Sequence, residues 1–504
     1  MEAEWWRDAV FYEIYVRSFS DSDGDGLGDL PGIRSRLPYL RELGVDALWL
    51  TPFYPSPDAD HGYDVADYAD VDPRFGTLAD FDAVVADAHA LGIRVTVDLV
   101  PNHTSDRHRW FTEHPDYYVW ADRPNNWPSH FGGPAWTFDA TRGKYYLHLF
   151  APEQPDLDWH NPAVKDEFEP ILRFWLDRGV DGFRIDVGHS LYKHPELPDE
   201  PEPFPLETPF SSDWRLAVDQ PEVHGLYREW RVLLDSYPGE RMLVGEIVFS
   251  DPRRIAEYVR SDELHLSFNF GLLHEEWRAD RLRMTIDRTL AALGEVGASS
   301  SWVLENHDVA RLATRYGSLR GARAGALLLL ALPGAAFLYA GQELGLDEVE
   351  LPDEARRDPI FLRTNGERLG RDGCRVPLPW SGDAPPFGFT TGEPWLPQPA
   401  GWSGFTVEAQ AGDPASTLAL YRAALAARPR GGALAWRESP PGTLVFERDG
   451  LLCLVNVSAP SLDLPEGELV LASEPDVTAV LPPETAAWLR LPVPSLGRGR
   501  SARP

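Results

Sequence analysis

Carboxylate, arginine and histidine side chains in this sequence gather at the ends of short apolar runs, where they could share acid–base and nucleophilic work. Asp98, Asn102 and His103 close one run, Arg184 and Asp186 the next, Glu246 a third, and Glu305, His307 and Asp308 a fourth. One such carboxylate alone reads equally well as a helix cap or an ion pair at a strand end. Four such ends in one chain point instead to a common pocket. Two carboxyl groups on adjacent strand ends can lie the ~5–5.5 Å apart that double displacement at a glycosidic carbon requires, one as nucleophile and one as acid/base. Asp186 and Glu246 are the natural pair. Arg184 precedes Asp186 by two positions on the same strand, so it points the same way and can keep the nucleophile ionised through a charge-assisted hydrogen bond. The acid/base must instead hold its proton near neutral pH, which a poorly solvated site among like charges favours for Glu246.

The elements that carry these residues read as repeated strand–helix units. Eight runs rich in β-branched or aromatic residues occur in order: 9–19, 45–52, 93–103, 180–186, 241–247, 264–270, 301–308 and 335–343. Near-continuous apolar strands alternating with helical segments imply a parallel sheet buried on both faces, and eight of them fit an α/β fold of the (β/α)8 TIM-barrel type. Thr77–Leu91 shows the helical period, with Thr77 as cap, an apolar stripe of Leu78, Phe81, Val84, Val85 and Ala88, and Gly92 as terminator. The connection after the third strand holds about sixty residues rich in Trp, Tyr, Pro and Asn, far above the usual length, and should form a lid over the barrel mouth. A second long connection, 188–221, is dense in Pro and acid and should shape the same mouth. After Gly341 come a loop-rich stretch, a helix at 416–427 and runs such as TLVFER, LLCLVNV and ELVLAS, which read as an antiparallel β-domain. The expected division is a barrel over 1–103 and 162–400, an inserted lid over 104–161, and a C-terminal helix and β-domain over 401–504.

Composition narrows the partners. The 504 residues are 43% hydrophobic and 12% aromatic, values of a folded globular chain. Acidic residues number 79 against 47 basic ones, and a net charge of -32 repels a phosphate backbone, so nucleic acid is not an expected partner. Two cysteines, Cys374 and Cys453, supply no disulfide framework, and Met1–Arg7 is not a leader peptide, which fits a reducing cytoplasm. The uncharged stretch 324–341 approaches membrane-spanning length, but Pro333-Gly334 splits it into a buried helix and a buried strand, so no membrane association is expected. The oligomeric state stays open.

The segments DLVPNH (98–103), GFRID (182–186), GEI (245–247) and ENHD (305–308) resemble the four signature regions of glycoside hydrolase family 13, the α-amylase superfamily, in order and spacing. That resemblance implies Asp186 as nucleophile, Glu246 as acid/base and Asp308 as the third carboxylate, with His103, Arg184 and His307 at glucose-binding positions. The segment HGYD (61–64) resembles the motif that grips the terminal glucose, giving Tyr63 a stacking role and Asp64 a hydrogen-bonding one, with Arg311 as partner of Asp64. The opening 5–33 and EQPDLDW (153–159) resemble the α-glucosidase and oligo-1,6-glucosidase branch, which implies exo-action on short α-glucosides. Val187 after the nucleophile resembles α-1,6-acting members, while Gly188-His189-Ser190 resembles bacterial α-1,4-glucosidases. The resulting expectation is a retaining α-1,4-glucosidase of short oligosaccharides. Its rivals are an oligo-1,6-glucosidase, a trehalose synthase or other glucosyl transferase, and a non-catalytic barrel similar to transporter heavy chains.

Asp21, Asp23, Asp25 and Asp29 place oxygen ligands at near-alternate positions, as in the beginning of a calcium loop, but Gly32 stands where an EF-hand has its bidentate Glu. The glucosidase branch carries a similar loop, which implies structural Ca2+ or Mg2+ held by these side chains and the Leu27 carbonyl. The chemistry calls for no organic cofactor.

Overall fold

The computed structural model describes residues 4–200 and 216–491. Residues 201–215 of the expected second mouth connection lie outside them. Its strands begin with β1 (Val10–Ile14), β2 (Ala47–Leu50) and β3 (Arg94–Leu99), continue through the short insertion strands β4 (Trp120–Ala121), β5 (Trp136–Asp139) and β6 (Lys144–Leu147), and resume with β7 (Gly182–Ile185), β8 (Met242–Gly245), β9 (Leu266–Ser267), β10 (Ser301–Val303) and β11 (Ala335–Tyr339). Outside the insertion, these form one eight-stranded parallel sheet in the order β10-β11-β1-β2-β3-β7-β8-β9.

Every expected apolar run contributes one strand, so the fold is the (β/α)8 barrel. The ring is nearly closed: β9 and β10 are the two ends of the sheet, and the Ser301 hydroxyl donating to the Ser267 carbonyl bridges them in place of a ladder. Each strand is shorter than the run that holds it, and the first and sixth runs show why. The first leaves the sheet after Ile14 and winds into a short helix, Val16–Phe19, and the sixth pairs only through Leu266 and Ser267. In both, the apolar residues that follow are buried without being sheet.

Helix Leu78–Ala90 shows how local sequence places the frame. Thr77 and Asp80 form a reciprocal capping box, Phe81, Val84, Val85 and Ala88 are buried, and Gly92 turns out of the helix at φ +75°. Burying one such large apolar side chain contributes about 1.5–3 kcal/mol, which outweighs the weak intrinsic preference of a helix this short. Strands β4, β6 and β5 form a separate antiparallel sheet in that order within the insertion that follows β3.

Beyond the barrel lie helix Thr417–Ala427 and strands β12 (Ala435–Trp436), β13 (Thr443–Arg448), β14 (Leu451–Asn456), β15 (Leu462–Asp463), β16 (Glu468–Ala472), β17 (Val480–Leu481) and β18 (Thr485–Arg490). Five of them make an antiparallel sheet ordered β12-β13-β14-β18-β16, and β15 pairs with β17. Strand β18 is central, and its Trp488 donates an indole N–H to the Leu327 carbonyl of helix Leu319–Ala331, fastening this sheet to the barrel. That helix and β11 are the buried helix and strand read on either side of Pro333-Gly334. Among the described residues, no helix is long and apolar enough to cross a membrane.

Candidate active site

Strand register builds the site. Ile185 on β7 pairs with Gly245 on β8, so the next residues, Asp186 and Glu246, leave the barrel side by side. Asp98 on β3 pairs with Arg184 on β7, which puts a carboxylate and a guanidinium in contact at the same level. Arg184 then serves three acids at once: Nη1 donates to Asp98 at 2.9 Å and to Asp186 at 2.5 Å, and Nη2 meets Glu246 at 2.8 Å. The same oxygen of Glu246, Oε2, also accepts from the backbone N–H of Val187 at 3.0 Å. To make it, Val187 adopts φ +44°, a left-handed conformation that costs a β-branched residue about 1–3 kcal/mol.

Electrostatics of this trio differ from expectation in one respect. Arg184 does hold Asp186, but its single charge is divided among three buried carboxylates. Burial raises the Asp186 carboxyl well above its usual range, Arg184 pulls it back, and the charges of Glu246 and Asp98 push it up again. Asp98 is pushed up to about 6, by burial first, against the pull of Arg184. Asp98 and Asp186 therefore titrate together and retain a proton more readily than isolated carboxylates would.

Asp308 sits opposite in charge terms. Burial acts to raise its carboxyl, but His307, Arg371 and Arg375 together hold it far below the usual range. Arg371 Nη1 and Arg375 Nη2 donate to it at 3.2 and 3.0 Å, and His307 Nε2 lies 3.5 Å away. It is a fixed anion beside the acids held by Arg184.

Around these acids the structure gathers Tyr63, His103 and His307, all buried. The Tyr63 hydroxyl donates to Asp98 at 3.2 Å and meets His307 Nε2 at 2.9 Å. His103 Nε2 faces the Tyr63 carbonyl at 3.2 Å, and burial lowers its pKa to about 3, so the ring is neutral. The Gln154 amide donates to Asp60 at 3.1 Å and lies 3.0 Å from His103 Nε2, linking the lid segment 153–159 to the pocket wall.

Asp64 and Arg311 do not pair. Arg311 is spent on Glu305 at 2.6 Å and on the carbonyls of Ala340 and Cys374, while Asp64 accepts from the Ser56 hydroxyl and from the backbone amides of Ala59 and Asp60. Asp64 thus shapes the turn that presents Asp60. The carboxylate–guanidinium pair at this place is Asp60 with Arg371, at 2.7 Å. Arg371 also binds Asp358 at 2.7 Å, and its guanidinium lies 4.9 Å over the Phe131 ring of the lid segment. Asp60, Gln154, Arg371 and Arg375 are the site residues missing from the sequence reading, and Glu13, buried behind His307, was not singled out there either. For Glu13 a signal existed: a carboxylate inside an apolar run must find a partner.

The acidic loop brings three of its four carboxylates together. Carboxylate oxygens of Asp21, Asp23 and Asp29 lie within 4.8 Å of one another, a hard-oxygen set that fits a divalent cation. Asp25 is not in that group; it accepts instead from the Leu27 amide at 2.8 Å. Asp29 also caps the helix Leu30–Leu43 through the Gly32 N–H.

Comparison with known proteins agrees with this geometry. Residues 13–436 match the alpha amylase, catalytic domain family. The chain is 40% identical to a "Probable alpha-glucosidase" of Rhizobium meliloti over 91% of this chain and 90% of that one. It is 38% identical to an "Oligo-1,6-glucosidase" of Parageobacillus thermoglucosidasius over 84% and 83% of the two chains. The solved structure of an alpha-glucosyl transfer enzyme, XgtA, superposes with a TM-score of 0.89 at 40% identity, covering 97% of this chain and all of that one. With the strand-end acids, the barrel and these relatives in agreement, the chain belongs to the α-amylase family, glycoside hydrolase family 13, and is a glycoside hydrolase.

Proposed function

We propose that the protein is a retaining, exo-acting α-glucosidase that removes terminal non-reducing α-1,4-linked glucose from short oligosaccharides. The observation that carries this reading is the single guanidinium of Arg184 bound to Asp186 and Glu246 on neighbouring strand ends. Asp186 attacks the anomeric carbon while Glu246 delivers a proton to the departing oxygen; Glu246 then takes a proton from water, which displaces Asp186. Asp308, ionised throughout, accepts from sugar hydroxyls and offsets the positive charge that develops on the ring. The linked group Asp60, Arg371, Gln154 and His103 blocks one side of the pocket with donors and acceptors, which suits a single terminal glucose better than a chain passing through.

Initial rates on maltose and isomaltose, with Asp186→Ala as control, test the linkage. Faster maltose cleavage is expected, and clearly faster isomaltose cleavage would reverse the assignment. Following the anomer by NMR during the first turnovers should show α-glucose; β-glucose would exclude double displacement. The likeness to an α-glucosyl transfer enzyme favours a second reading, in which another sugar captures the glucosyl–Asp186 intermediate. Oligosaccharides in place of glucose from concentrated maltose would establish it.

We also infer that Asp21, Asp23 and Asp29 hold Ca2+ or Mg2+ as a structural ion. Cysteines Cys374 and Cys453 are both unpaired and buried, which supports a cytoplasmic location.

A further inference from the structure

Glu13, on β1, is buried beneath the pocket and takes no part in the chemistry above. Its carboxyl contacts His307 Nδ1, at the far side of the ring from the pocket. The ring cannot turn freely: Tyr15 and Tyr63 both stack on it with centroids 5.5 Å away, and the edge of Trp49 lies 5.9 Å away. Burial lowers the pKa of His307 to about 3, so the ring carries one proton across the working range. Which nitrogen holds that proton is decided by the partners.

Those partners leave one consistent arrangement. Asp98 already accepts on both oxygens, from Arg184 Nη1 at 2.9 Å and from the Trp49 indole N–H at 3.1 Å, so its 3.2 Å contact with Tyr63 uses the phenolic proton. Tyr63 then has only a lone pair to offer at its 2.9 Å contact with His307 Nε2, and that nitrogen must donate. Asp308, also an acceptor, faces the same nitrogen at 3.5 Å. With the proton on Nε2, Nδ1 is bare and can only accept, and the donor must come from Glu13.

We infer that Glu13 acts as a protonated carboxylic acid donating to Nδ1 of His307, and so holds the ring proton on Nε2, the nitrogen that faces the pocket. It is a positioning residue, the far end of a directed chain that runs Glu13, His307, Tyr63, Asp98, Arg184. The charged and titratable groups facing it are Asp308 beside His307, Asp98 on β3, Arg184 on β7 and Tyr339 on β11. Burial raises its carboxyl well above the usual range and Asp308 and Asp98 add to that, against the pull of Arg184 and of the His307 backbone hydrogen bond. Asp308 thereby keeps a neutral donor beside it, and a sugar hydroxyl entering the pocket meets an N–H at that position.

Glu13→Gln separates the two states, because a glutamine amide can donate to Nδ1 as the acid does. In protein labelled with 15N-histidine, the His307 ring nitrogens report the tautomer directly, with His307→Gln identifying the resonance. The Nε2–H tautomer is expected in both the wild type and Glu13→Gln, and an Nδ1–H tautomer in the wild type overturns the proposal. Glucose release by Glu13→Gln should stay within about threefold of the wild type, whereas Glu13→Leu, which leaves Nδ1 unpartnered, should lose at least about thirtyfold with thermal unfolding still cooperative. A folded Glu13→Gln protein that falls as far as Glu13→Leu shows that the carboxylate works as an anion and also overturns it. The activity arm rests on the glucosidase reading; the tautomer arm does not, so failure of one is distinguishable from failure of the other.

Discussion

Asp60 and Arg371 meet at 2.7 Å although 311 positions separate them, one in the loop after β2 and the other beyond the last barrel strand. Their contact fastens one wall of the pocket, and its two ends are not equivalent. Asp60→Asn leaves Arg371 bound to Asp358 and Asp308, so the expected effect is on sugar binding: KM for maltose up about tenfold or more, with little change in thermal midpoint. Arg371→Met takes the guanidinium from three buried carboxylates, leaving Asp308 to Arg375 and Asp60 to Gln154, and should cost about 3–5 kcal/mol in chemical denaturation. A maltose KM left unchanged by Asp60→Asn would remove this pair from the substrate site.

The two acids bound to Arg184 should respond differently to the leaving group. Asp186→Asn removes the nucleophile, and turnover should fall by about 10^4-fold or more on every substrate. Glu246→Gln removes only proton delivery, so p-nitrophenyl α-glucoside, whose phenolate departs without help, should keep far more of its rate of glycosyl transfer than maltose does. Equal losses on both substrates, measured as the pre-steady-state release of leaving group, would contradict the assignment of acid/base to Glu246.

Neutral buried histidines make the fold sensitive to acid. Burial lowers the pKa of His108 to about 3, with Arg109 adding to it, whereas the unfolded chain binds the proton near 6.5. The unfolded state therefore takes up more protons between these values, so stability is complete above about 6.5 and is lost as pH falls towards 3. At pH 5 this one ring costs about 2 kcal/mol. His108 Nδ1 caps the helix Arg109–Glu113 through the Trp110 N–H, and asparagine can do the same without titrating. Denaturation of His108→Asn at pH 7 and pH 5 should show a smaller drop than the wild type by that amount; identical drops would mean the ring takes up its proton in the folded state.

For the acidic loop, millimolar Ca2+ should raise the thermal midpoint of chelator-treated protein, with about 2.7 kcal/mol gained at one hundred times the dissociation constant. Asp23→Asn removes one of three close carboxylates and should abolish most of the increment. A midpoint indifferent to Ca2+ and Mg2+ alike would count against a bound ion.

The barrel was legible because its strands are buried on both faces and so read as unbroken apolar runs, with chemistry at their ends. Asp98, Arg184, Asp186 and Glu246 follow from that position alone, and ladder register explains why they converge. Asp60, Arg371 and Arg375 were not legible from the same logic. They sit in irregular segments whose backbone carries no period, and their partners lie 311 positions away for Asp60 and Arg371 and 67 for Arg375 and Asp308. The same limit produced the mistaken pairing of Asp64 with Arg311: the motif located the right turn, but only packing shows that Asp64 is consumed by amides of its own loop. Strand β18 was obscure for a simpler reason, since TAAWLR is central and buried yet holds two alanines and little β-branching.

The joint between β9 and β10 splits the site by construction. Asp186 and Glu246 ride on staves stitched together by a continuous ladder, so the gap between them is set by the weave of the sheet. Asp308 follows β10, across a joint from β9 that a side-chain hydrogen bond closes, and it is moored through Arg371 and Arg375. Two of the acids are thus spaced by backbone, and the third is held in place by side chains.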